Sequence, residues 1–177
     1  EALSLEADEN LHDIIDTYVK GNTLYIESTE NIGRGTKKLY ITVKELRDID
    51  LSGAVELTCK NSLKYDQLNI ESSGASDFSF DGYGQNLSIQ CSGASEIELY
   101  GKADSAQISL SGASEIDAEE MKVKIMSLEM SGAGEAEVYV TQTLNVDISG
   151  AATVRYHGNP SVTKSISGAG SIRKAND

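Results

Sequence analysis

Eight carboxylates stand at fixed offsets from a recurring serine. Glu56, Asp77, Glu96, Glu115 and Glu135 each lie four residues after the serine of a Ser-Gly-Ala tripeptide, and Glu98, Asp117 and Glu137 lie six after one. If those tripeptides stack as strands, the carboxylates come about 4.8 Å apart, where like charges repel. Two chemistries fit such a strip. Ca²⁺ could bridge carboxylates on neighbouring rungs, with Asp77, Glu96, Glu115 and Glu135 as the ligands. A carboxylate pair across a groove, or an arginine or lysine base beside calcium, could cleave polysaccharide.

The residues favour a blander reading of that strip. A flat β-face offers few of the extra oxygens that calcium takes, and Lys102, Lys122 and Lys124 stand close enough to relieve some repulsion. Arg155 and Arg173 fall past the acidic rungs, and the chain has no Trp to form a sugar-stacking platform, only eight tyrosines. There is no G-x-S-x-G elbow and no phosphate-binding glycine loop. The strip therefore reads as solvent-facing charge. No catalytic or cofactor-binding residue is assigned, and Ca²⁺ is the one cofactor the pattern would admit.

Cysteine and histidine add little at this level. Cys59 lies seven past its serine, and Cys91 lies one before another serine two repeats later. Two rungs separate them by about 9–10 Å, beyond the roughly 7 Å that a disulfide's Cα atoms span. Both read as buried thiols acting as small hydrophobes. His12 and His157 have no Cys or carboxylate at ligand spacing in the sequence and read as ordinary surface histidines.

The elements that carry these residues follow from the repeat. Ser-Gly-Ala occurs at Ser52, Ser73, Ser92, Ser111, Ser131, Ser149 and Ser167, in steps of 18 to 21 residues. Five, three and one residues before the serine the columns are mostly apolar, as in Leu87, Ile89 and Cys91, with Ser88 and Gln90 between. Five and seven residues after it they are apolar again, as in Ile97 and Leu99. That is the period-two alternation of strands with one buried face. A glycine at the corner (Gly53, Gly74, Gly93, Gly112, Gly132, Gly150 or Gly168) suits a sharp turn with φ > 0. The alanine after it is expected to point inward where the corner narrows the core.

A unit of about 20 residues cannot bury its own face, but stacked units can. The expected fold is all-β: a parallel β-helix, or β-solenoid, of about seven rungs spanning 45–177, right-handed by the usual crossover rule and roughly 30 Å long. A meandering β-sandwich would not repeat one corner at every step. Short spacers such as "GYGQN", "GKADS" and "GNPSV" predict variable loops on a third edge, with "EEMKVK" at the matching place of another rung. Residues 1–44 lack the repeat and read as an N-terminal cap, or as irregular first rungs. In them "ALSLEA" predicts a strand, "DENLHDIID" one or two helical turns, "YVKGNTLYIES" a hairpin turning at Gly21-Asn22, and "KKLYITV" a further strand.

Composition sets the outer bounds. The 177 residues fit one domain and carry 28 Asp plus Glu against 15 Lys plus Arg, a net charge of −13. That balance excludes nucleic acid and argues against anionic membranes as partners, since both call for a basic surface. No apolar run is long enough to span a bilayer. The first residue, Glu1, suggests a mature form whose signal has been removed or a trimmed chain.

The rungs, "LYITVKELRDIDLSGA" (Leu39 to Ala54) and the ending "VRYHGNPSVTKSISGAGSIRK" (Val154 to Lys174) resemble the family called "putative auto-transporter adhesin, head domain", common in Bacteroidetes. "LSLEADENLHDIIDTYVKGNTLYIES" resembles its N-terminal segment, so the likeness covers nearly the whole chain. It implies an exported β-helical domain: periplasmic, an outer-membrane lipoprotein, or on the cell surface. It brings no catalytic or ligand residues. The function expected is a non-catalytic envelope module presenting a surface to a glycan or protein. The alternatives are a polysaccharide-active enzyme using the acidic strip, and a passive structural part that self-associates through its solenoid ends.

Overall fold

The computed structural model describes residues 1–8, 11, 13–30 and 37–175. The chain falls into two compact units, Glu1–Lys44 and Glu45–Asp177. In the first, β1 (Ala2–Ala7) pairs antiparallel with β4 (Lys37–Thr42), and β2 (Ile15–Lys20) pairs antiparallel with β3 (Thr23–Ser28). Gly21 takes φ 64° at the first central position of the β2–β3 turn, which matches the twist of the flanking strands. Leu3 lies opposite Ile41 and Leu5 opposite Leu39, so each ribbon carries one apolar face.

The strand, hairpin and strand expected here are present. Of the helical turns expected in "DENLHDIID", residues 9, 10 and 12 lie outside the described residues, Leu11 has 3₁₀ geometry, and β2 begins at Ile15. Leu11 N–H donates to the Asp8 carbonyl (2.8 Å) and Ile14 N–H to the Leu11 carbonyl (3.2 Å), the three-residue spacing of a 3₁₀ turn. The adjacent β-branched residues Ile14 and Ile15 favour extension, and the turn passes into β2 there. His12 lies outside the described residues.

The second unit is the solenoid. β5 (Asp48–Thr58), β7 (Ser161–Gly168) and β8 (Ser171–Lys174) all pair parallel with β6, which runs from Leu63 to His157. β6 spans 95 residues because successive turns of one coil pair with one another. The register joins Ser52 to Ser73 and Gly53 to Gly74 at one end, and Ser149 to Ser167 and Gly150 to Gly168 at the other. The offset between rungs is thus the sequence repeat itself, and corner stacks on corner.

Inside, Leu68, Ile70, Ile89, Ile97, Leu99, Ile108, Ile116, Leu128 and Leu144 are almost wholly removed from water. Each such side chain contributes about 1.5–3 kcal/mol on burial. The corner glycines meet two demands at once. Gly112 has φ 114°, and a Cβ on it would collide with the backbone oxygen of Gly93. The same collision recurs along the column wherever a glycine stacks on the rung before it.

Three expectations need correction. The corner alanines Ala54, Ala75, Ala94 and Ala113 face solvent, and the residue after each points inward: Val55, Ser76, Ser95 and Ser114. The alternation runs through the glycine unbroken, so residues an odd number past the serine stay inside. Ser76 and Ser114 are buried with hydroxyls that find no hydrogen-bond partner among the described residues, and Ser95 is buried beside the Cys91 thiol. The spacers "GYGQN" and "GKADS" are strand rather than loop, and the third side is closed with buried Ala103, Met121, Val123 and Val140; only "GNPSV" breaks the strand, over 158–160. Finally, the two cysteines are both free, but only Cys91 is buried; Cys59 is half-buried near the first rung. Burial pushes the Cys91 thiol up to about 11, with the Ser95 hydroxyl pulling the other way, and raises Cys59 as well.

Candidate functional site

The acidic column is where the spacing places it. Asp77, Glu96, Glu115 and Glu135 are all exposed on one face, and Glu56 pairs with Asp77 in register. Two of the three lysines are engaged elsewhere. Lys124 Nζ pairs with Asp104 at 2.7 Å, and Lys122 Nζ sits over the Tyr139 ring, 5.1 Å from its centre. The cation that reaches the column is Arg155, whose guanidinium lies 3.6 Å from Glu135 and 3.4 Å from Glu137. It does so because Arg155 stands one rung beyond Glu137, and stacking turns a separation of 18 residues into adjacency.

His157 is not an ordinary surface residue. Its Nε2–H donates to Glu137 Oε1 at 2.9 Å, and Glu119 Oε2 lies 3.6 Å from the same nitrogen. Because a carboxylate only accepts, that bond fixes the ring proton on Nε2. Tyr139 stacks on the imidazole at 6.2 Å between centres with 12° between planes. The His157 hydrogen bond, more than Arg155, holds Glu137 below the usual carboxylate range, while partial burial works against it. Glu119, Tyr139 and His157 each stand eight past a corner serine, on three consecutive rungs. Sequence distance hides this cluster, and reading the eighth column across rungs would have found it.

A second feature lies before the corner. A shallow groove of about 330 Å³ runs over four rungs, lined by Asp50, Glu71, Gln90, Ser92 and Ser109 among others. Asp50, Glu71, Gln90 and Ser109 are one outward column, two residues before each corner serine, and Asp50 pairs with Glu71 in register. In sequence they are visible only as the polar half of the alternation. Side by side they make a row of hydrogen-bonding groups repeating about every 4.8 Å along the axis.

Comparison with known proteins agrees with this architecture. The model of the family described as "Putative auto-transporter adhesin, head GIN domain" matches residues 1–160. The chain belongs to this family. A crystal structure of a "putative adhesin" from Bacteroides fragilis superposes with a TM-score of 0.92 at 25% identity, over 98% of this chain and 82% of that one. A "putative lipid binding protein" from Parabacteroides distasonis gives 0.67 at 28% identity, over 98% and 84%. A "putative adhesin" from the same organism gives 0.74 at 20% identity, over 98% and 83%, and shows the shared fold alone. Among curated proteins none matches this chain. Within the family's architecture, the described residues of this member contain no helix long and apolar enough to cross a membrane.

Proposed function

We propose that the chain is a non-catalytic, exported module of the cell envelope whose solenoid presents a binding surface to a glycan or protein partner. Membership of an adhesin-type family supports export and binding in general. The observation that carries the surface itself is the groove along Asp50, Glu71, Gln90 and Ser109. Its donors and acceptors repeat at the rung spacing, as an extended polymer lying along the axis requires, and its two carboxylates disfavour acidic ligands. The strands beneath are continuous, so the row is held rigid and little ordering cost opposes binding.

The test is a glycan-array and envelope pull-down screen with the wild-type chain, followed by the double variant Glu71→Ala with Gln90→Ala. Both positions point outward, so the variant retains the fold. A ligand retained by wild type and lost by the variant is the expected result. A screen without any ligand, or a ligand held equally by both, removes the groove as the binding surface.

A further inference from the structure

Glu119, Glu137 and His157 offer one ligand atom each, all within 4.8 Å of one another. In a four-coordinate site with bonds of about 2.0–2.2 Å, neighbouring ligand atoms stand about 3.4 Å apart. The two distances from His157 Nε2, 2.9 Å to Glu137 and 3.6 Å to Glu119, bracket that value. From the geometry and chemistry of this triad, we propose that the chain binds one borderline divalent transition-metal ion, of the zinc class, through Glu119, Glu137 and His157.

The donor set decides the class of ion. An imidazole nitrogen with two carboxylates suits zinc and its neighbours, whereas calcium takes six to eight oxygens. The surroundings favour a dication. Glu135 and Glu137 share the Arg155 guanidinium, Glu119 lies beside His157, and Lys122 lies over Tyr139. Arg155 engages Glu137 through Oε2 and leaves Oε1 towards the imidazole. Tyr139 lies nearly parallel to the imidazole on the neighbouring rung and packs against that side of the site. His157, Glu137 and Glu119 expose 19%, 29% and 48% of their side-chain surface, so an ion can enter from solvent. On binding, the metal takes the place of the Nε2 proton, and His157 is a ligand through the Nε2 lone pair of a neutral imidazole that carries its proton on Nδ1. Because the three ligands sit on consecutive rungs, the ion clamps the solenoid along its axis.

Calorimetric titration of ZnCl₂ into chelator-treated protein, with CaCl₂ alongside and melting curves for each, tests this. One zinc per chain with a raised melting temperature, and no calcium response, is expected. His157→Gln and Glu119→Gln should each weaken zinc at least tenfold, while His12→Gln, which removes the other histidine of the chain, should not. Absence of zinc binding by wild type, or binding unchanged in both His157→Gln and Glu119→Gln, overturns the site. Loss of zinc in His12→Gln with retention in His157→Gln overturns it too. Should His157→Gln fail to fold, Glu119→Gln and the visible spectrum of the Co²⁺-loaded wild type decide. An intense four-coordinate band supports the triad, and the weak spectrum of hydrated Co²⁺ refutes it.

Discussion

The two units spend similar residues in opposite ways. In Glu45–Asp177 every strand has a parallel neighbour, and the alternate apolar side chains meet one another inside a closed coil. In Glu1–Lys44 the strands pair only two by two, and among its described residues Leu11 and Ile15 are the only buried apolar side chains. Leu3, Val19, Ile26 and Ile41 remain substantially exposed there. The β-propensity of the two segments is alike; what differs is the number of neighbours. A two-stranded ribbon has one face to hide and nothing of its own to hide it against, whereas a rung hides its face by recurring.

The sharpest way to break this contrast is through glycine. Gly112→Ala places a Cβ on the Gly93 carbonyl at φ 114°, and should cost about 4 kcal/mol in denaturant unfolding. Gly21→Ala meets nothing within 4 Å at φ 64° and should cost about 1 kcal/mol. Equal costs would mean that the corner column is not the close contact described. Next in size, Ile108→Ala, at a fully buried site, should lose about 3 kcal/mol, against under about 1 kcal/mol for the half-exposed Leu3→Ala. Similar losses would show the first unit to be as well packed as the solenoid.

The smallest effect runs the other way. Ser76 is buried without a hydrogen-bond partner, and Ala152 holds the same place three rungs on from Ser95. Ser76→Ala should therefore raise stability by up to about 1 kcal/mol. A loss of that size instead would reveal a hydrogen bond made by the hydroxyl in solution.

Much of the solenoid was legible because the physics that builds it is periodic. Ile89, Cys91, Ile97 and Leu99 announce a buried face by parity alone, and Gly93 announces the corner. The alanine was misread because the corner was treated as an interruption, although parity passes through it. On the third side, glycine and polar residues suggest loops at "GYGQN" and "GKADS" where stacking lets Gly101 continue a strand at φ 105°, whereas at "GNPSV" the proline, with no N–H to give a ladder, does end one. The His157 cluster was illegible along the chain and plain across it. Residues 20 and 38 positions apart touch only once the rungs are laid over one another.

The in-register stack also determines how the solenoid answers a pull. Its hydrogen bonds run parallel to the axis, so a force along that axis is carried in series by every interface between rungs, and the interfaces yield one after another rather than all at once. Each rung stores 18 to 21 residues in about 4.8 Å of length. Once released, that much chain reaches roughly 60 to 75 Å at about 3.3–3.6 Å per residue. Under tension the coil is thus a ratchet of slack, yielding in discrete lengths and limiting the peak load on whatever it holds.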